Sequence, residues 1–198
     1  MRSHNMRGFS IIEMMIVVVI ALIASGIAFM SVGPIINQAH VTNAYSITLG
    51  ALRTARESAV GTRRVYIVAF NNTVTPNTIS ITQANTGAVI TTYALPTDTS
   101  FVVQSVFPNV GPDSFGTGTL PIDLDQGVVG ASATDTTSVY FYPDGSAQDS
   151  NQNTNNGVIY IGRAGDKSTP RAITIWGATG RLRGWRLNKA ATYFWGQI

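Results

Sequence analysis

Arg7-Gly8-Phe9-Ser10-Ile11-Ile12-Glu13-Met14-Met15-Ile16-Val17-Val18-Val19-Ile20-Ala21-Leu22-Ile23-Ala24 is the stretch that decides the architecture. A short basic leader meets a small residue. An almost wholly apolar run comes next, with one carboxylate, Glu13, inside its first turn and a half. From Met14 to Leu52 there is no Asp, Glu, Lys or Arg. A helix rises about 1.5 Å per residue, so Phe9 to Gly33 is long enough to cross a bilayer core of about 30 Å. The remainder of the chain reads as a domain carried on that stalk.

Glu13 is the informative residue of the run. A charge at the centre of a membrane helix costs about 2.5 to 3.5 kcal/mol, less near an interface, so it usually has a partner. Cutting the chain between Gly8 and Phe9 would create one. The new amine of Phe9 lies about one helical turn from Glu13, and the same amine on a neighbouring copy is an equivalent partner. An ordinary secretory signal would place its small-residue cleavage site after an apolar core of about 7 to 15 residues. Here the small residue, Gly8, comes first and the run is longer.

Gly8 to Ile23 resembles the class III signal of type IV pilins and type II secretion pseudopilins. It has their Gly, then Phe, then Glu as the fifth residue after the cut, then an apolar helix. The resemblance implies that prepilin peptidase cleaves between Gly8 and Phe9 and methylates the Phe9 amine. It also implies that Glu13 orders subunits in a helical filament built on an inner-membrane assembly platform.

Composition agrees with an anchored, extracytoplasmic protein. The chain has 198 residues, enough for one anchor helix and one domain; 44% are hydrophobic and only 12% charged. About 25% charged is typical of globular proteins. The formal charge of +3 includes Arg2 and Arg7 of the leader. Those two fit the positive-inside rule, which holds the N-terminus in the cytoplasm and sends the C-terminal domain to the periplasm. The remaining charge is segregated. Val65 to Gly162 contains no Lys or Arg, and no acid comes after Asp166. A basic C-terminal end and an acidic middle suggest complementary packing or a basic binding patch. There is no cysteine, so the disulfide that many major pilins carry near the C-terminus is absent.

Taken in order, residues 1–8 read as leader, 9–36 as a transmembrane and assembly helix, 37–62 as its amphipathic continuation, and 63–198 as a β-rich domain. Gly33-Pro34 predicts a kink or local melting, because proline removes one ladder hydrogen bond. Val41, Tyr45, Leu49, Leu52, Ala55 and Ala59 recur at helical spacing, with Gly61 as the stop. Strands are predicted at 65–70, 78–82, 88–93, 101–106, 138–142, 157–161, 171–176 and 181–187, each rich in β-branched residues or alternating. Residues 108–137 read as a long loop with one short strand inside 119–125. The expected fold is α+β: a long N-terminal transmembrane helix packed through its C-terminal half on antiparallel β-sheets, as in pilins.

Catalysis finds no support in the residue types. His4 falls in the leader and His40 beside the anchor, and no phosphate loop or metal-protease spacing occurs. Asp149 to Asn155 alternates oxygen-bearing residues but lacks the Gly and Glu of a calcium loop. No enzyme, metal or cofactor is therefore expected.

Three further segments are similar to the FimT/GspH-type minor pilins and pseudopilins: Leu52 to Val60 with Arg63-Arg64-Val65-Tyr66, Tyr142 to Ala147, and Gly180-Arg181-Leu182-Arg183. In members used for natural transformation that last segment contacts DNA, which implies Arg181 and Arg183, with Arg186, as candidate DNA-binding residues. In a strand Arg181 and Arg183 point to one face and Arg186 to the other. The alternatives are a type II secretion pseudopilin acting in protein export without DNA binding, or a plain single-pass membrane-anchored domain outside any filament.

Overall fold

The computed structural model describes residues 9–116, 118–126 and 137–198. Of the predicted features, the leader with Gly8, and residues 117 and 127–136 of the long loop, lie outside the described residues. The chain divides into two compact units, Met1–Gln38 and Ala39–Ile198.

One helix, α1, is assigned from Ile11 to Thr62, and it begins after Phe9-Ser10 rather than at Phe9. The Ser10 carbonyl accepts its first hydrogen bond, from the Met14 amide at 3.2 Å. The local melting expected at Gly33-Pro34 does not appear: both residues are helical. A single proline deprives a helix of one hydrogen bond without having to end it.

In the first unit, the described apolar side chains from Ile11 to Ile27 are all exposed. The bilayer-crossing reading of residues 9–36 meets a limit here: among the described residues, no helix is long and apolar enough to cross a membrane.

In the second unit the helix buries a stripe of small side chains. Val41, Ala44, Thr48, Ala51, Leu52, Ala55 and Ala59 are 0 to 1% exposed. Tyr45 and Leu49, expected on this stripe, flank it half-buried. Alanines face the sheets because a small side chain lets a flat surface approach closely. The Thr48 hydroxyl avoids an unsatisfied burial by donating to the Ala44 carbonyl at 2.8 Å.

The helix ends through its backbone. Arg63 takes a left-handed φ of 53°, and the Arg64 amide donates to the Ala59 carbonyl at 3.2 Å. This is the six-to-one closure that usually uses glycine at the left-handed position. Gly61, the predicted stop, lies inside the helix.

Among the described residues, eleven antiparallel strands form two sheets. The first has the order β3(Ala88–Ala94), β2(Thr78–Gln83), β1(Tyr66–Asn71), β6(Ser138–Phe141), β7(Ala147–Gln148). The second has the order β11(Tyr193–Gln197), β10(Arg181–Lys189), β9(Arg171–Trp176), β8(Asn156–Gly162), β4(Ser100–Phe101), with β5(Ile122–Gln126) also paired to β8. Alternate residues of β1 face inward, Tyr66, Val68 and Phe70, and meet the helix stripe in one core with Ile79, Phe141, Ile159 and Ile173. The fold is α+β, as expected.

Two departures share a cause. The run 101–106 is expected as a strand, yet only Ser100–Phe101 pairs, and Val103, Val106 and Phe107 leave the sheet. The tail past Leu187, where no strand is predicted, forms the end of β10 and the edge strand β11. Both segments serve a second apolar cluster on the far face of the second sheet. There Phe107, Val158, Tyr160, Ala172 and Leu187 are buried together. Trp195 stacks edge-on against Phe107, with ring centres 5.1 Å apart. Part of the long loop is thus the cover of that face, and β8 is buried on both sides.

Candidate functional sites

At the N-terminal end, Phe9 is 75% exposed and Glu13 stands exposed in the first turn of α1. A carboxylate there suits the positive end of the helix dipole. Among the described residues Glu13 has no ion-pair partner. Exposed apolar side chains of this extent need a cover, which is a lipid or protein surface.

A second site joins the three late segments read from the sequence. Arg56, on the helix, donates from Nε to the Gly145 carbonyl at 3.1 Å and from an Nη to the Thr179 carbonyl at 3.1 Å. Gly145 closes the turn after β6, where the Asp144 carboxylate accepts from the Ser146 amide and hydroxyl at 2.9 and 2.7 Å. Gly180 closes the turn between β9 and β10 with a φ of 59°. A single guanidinium therefore ties the end of the helix to one turn of each sheet. Sequence reading singles out all three segments but not the side chain that joins them.

The third site is the β9–β10 hairpin. Cross-strand pairs place Arg181 opposite Trp176, Arg183 opposite Thr174, and Arg186 opposite Arg171. Arg181 is exposed; it and Arg183 share the face covered by the loop, while Arg186 lies on the helix-facing side, as strand parity predicts. Arg183 is not free. Its guanidinium pairs with the Asp113 carboxylate at 2.6 Å, with the two side chains 24% and 6% exposed. Asp113 also accepts from the Thr174 hydroxyl at 2.6 Å and the Trp176 indole at 3.0 Å. The guanidinium carbon lies 5.6 Å from the centre of the Trp176 ring, in cation–π range. The three arginines expected together do not make one surface.

Arg171 is not among the expected site residues, and nothing local distinguishes it in the sequence. It is only 7% exposed, and an Nη nitrogen is buried without a hydrogen-bond partner. Burial foremost, and then the neighbouring Arg186, push its pKa down.

Two polar clusters are tied together within the fold. The buried Asp149 accepts from the Asn151 and Asn153 amides at 2.8 and 2.7 Å and so shapes the asparagine-rich loop. Among the described residues no cluster of acidic or histidine side chains is arranged to hold a metal. His40 Nδ1 lies 2.8 Å from Asp98, and Arg163 Nε lies 3.0 Å from the same carboxylate oxygen.

The His40 hydrogen bond, aided by Arg163, holds the Asp98 carboxyl below the usual carboxylate range. An unfolded aspartate titrates near about 3.9, so the stabilisation is full above that value and is lost as pH falls through the lower folded one. His40→Ala should therefore melt lower than wild type at pH 5, and the gap should close towards pH 2. Melting temperatures across that range check this; a gap that stays constant would exclude the linkage.

Residues 3–29 match the family model described as the prokaryotic N-terminal methylation motif. No curated protein and no solved structure gives a significant match to the chain. The motif indicates a type IV pilin-like prepilin N-terminus, and so implies processing by prepilin peptidase and assembly with other pilin subunits. Its span covers the exposed apolar start of α1 together with Phe9 and Glu13.

Proposed function

We propose that this chain is a minor pilin or pseudopilin of a type IV pilus or a type II secretion pseudopilus. Prepilin peptidase cleaves it between Gly8 and Phe9 and methylates the Phe9 amine. The helix 9–36 holds it in the inner membrane with the β-rich domain in the periplasm, until the assembly platform builds it into a filament. The carrying observation is the methylation motif on a helix that exposes every described apolar side chain from Ile11 to Ile27 and one carboxylate, Glu13. In a filament that surface is covered by other subunits, and Glu13 meets the Phe9 amine of a neighbour.

Contact with DNA through Arg181, Arg183 and Arg186 is the weaker partner reading. Weak, salt-dependent DNA binding needs several free cations on one surface. Here Arg183 is held by Asp113 and Arg186 faces the other side of the strand. A protein neighbour suits the arrangement better.

Co-expression with a prepilin peptidase and a pilus assembly system tests the reading. Mass spectrometry of the wild type should show a chain that begins at Phe9 and carries one added methyl. Glu13→Ala should be processed and inserted alike, yet its amount in sheared filaments should fall about tenfold, equivalent to about 1.4 kcal/mol of lost pairing. Equal incorporation removes the role of Glu13; an uncut chain removes the cleavage reading.

A further inference from the structure

We infer that the free edge of β11 docks an extended segment of another protein, one that carries a carboxylate and a large apolar side chain on the same face. Among the described residues, β11 ends the order of the second sheet. Its pairing with β10 is regular: the Ile198 amide donates to the Gly184 carbonyl at 3.0 Å, and the Ala190 amide to the Thr192 carbonyl at 3.1 Å. Backbone groups alternate in direction along an antiparallel strand, so Phe194 and Gly196 also turn theirs towards β10. Those of Tyr193, Trp195 and Gln197 face the open edge.

Free edges are usually blunted by shortness, charge, proline or a bulge, because an open ladder recruits other strands. The other outer strands follow that rule. β4 and β7 have two residues each, β5 carries Asp123 and Asp125, and β3 has a bulge beside Ile81. β11 runs for five residues with no charge, proline or bulge.

Two clefts flank this edge, and Tyr193 lines both. Tyr193 and Trp195 pack on the loop-covered face of the second sheet. A strand added beside β11 places every second side chain over that face. The first cleft, about 390 Å³, has Leu187 and Tyr193 with Lys167, Lys189 and Asp166. Asp166 is engaged with Ser168 and Thr169, whereas the exposed lysines enter no ion pair among the described residues. Lys189 instead lies 5.7 Å from the centre of the Tyr193 ring. An incoming carboxylate therefore gains charge-assisted partners here. The second cleft, about 360 Å³, offers Trp185, Trp195, Pro108 and Val110. Its one acid, Asp113, is held by Arg183, so this cleft takes an apolar side chain.

The open edge selects a peptide. A nucleic acid or a lipid headgroup could meet the lysines, but neither has a backbone of alternating donors and acceptors. A peptide strand has both: main-chain pairing gives affinity, and pockets for alternate side chains give specificity. The pairing does not depend on the filament reading, whose failure would appear in the processing at Gly8-Phe9 and leave this binding intact.

The test uses the whole chain in an uncharged detergent. The probes are the fluorescent peptides Thr-Glu-Thr-Phe-Thr and Thr-Phe-Thr-Glu-Thr, one for each strand direction. One of them should bind, and methylating its backbone nitrogens should weaken binding about tenfold or more, as expected for one or two lost hydrogen bonds. Lys189→Gln should weaken it about threefold or more and flatten its salt dependence. Gln197→Pro removes a donor on the open edge only, so it should bind more weakly yet melt with the wild type. If Gln197→Pro melts lower, the methylated peptide and Lys189→Gln still decide. Absence of binding by both peptides overturns the proposal. So does binding that methylation and Lys189→Gln leave unchanged, or Lys189-dependent binding of oligothymidylate in place of peptide. A dimer of the chain that Gln197→Pro dissolves would also overturn it, by making a second copy the occupant.

Discussion

Asp113→Ala is expected to lower the stability of the domain by about 3 to 5 kcal/mol, the range for breaking a buried ion pair from one side. The carboxylate is 6% exposed and accepts from three groups: the Arg183 guanidinium, the Thr174 hydroxyl and the Trp176 indole. Removing it leaves a guanidinium and two donors in a space where water replaces them poorly. The loss should appear as a fall in Tm of about 6 to 20 °C, at roughly 2 to 4 °C per kcal/mol for a chain of this size. Trp176 fluorescence should change with it, because the indole loses its acceptor. Pairing the change with Arg183→Gln should recover part of the loss, since no charged group is then stranded. Thermal melts of the four proteins check this. A loss below about 1 kcal/mol would mean that the pair behaves as an exposed one.

Gly180→Ala should cost about 2 to 4 kcal/mol, from two sources. One is the left-handed φ of 59°, which costs a residue with a Cβ about 1 to 2 kcal/mol. The other is steric: the new Cβ would overlap the Gly145 carbonyl oxygen and lie 2.8 Å from Arg56 Nε. Gly165 is the control. Its φ is 77°, but a Cβ there meets nothing within 4 Å, so Gly165→Ala should cost only the conformational part, about 1 kcal/mol. Denaturant melts of both variants separate the contributions. Equal losses would show that the Gly145–Gly180 contact relaxes without cost.

Legibility tracks the range of the interactions. β9 is readable to its ends, Arg171 to Trp176, because alternation, β-branching and the Gly177–Gly180 turn are all local signals. The signal at Phe9 and Glu13 is local too, since their spacing lies within about one helical turn. The run Val102 to Val106 misleads: its β-branched residues suit a strand, but their apolar surface is used against Phe107 and the far face of the second sheet. β11 escapes a sequence reading because Tyr193 to Gln197 places aromatics beside a glycine without alternation. Parity alone assigns the hairpin arginines to the correct faces. What occupies Arg183 is invisible, because Asp113 lies 70 residues away in a stretch that reads as loop. Arg171 reads as an ordinary charge at a strand start, and only the packed fold reveals its burial.

The Arg56 tie sets an order of events during synthesis. The helix that carries Arg56 precedes its two acceptors, which are 89 and 123 residues further along the chain. Contacts of such separation close late, since the loop entropy must be lost before they reward it. A nascent chain stopped before Thr179 has α1 made and its domain unsealed. The β9–β10 hairpin thus acts as a completeness check: the helix end is locked onto both sheets only after the turn at Gly180 has arrived.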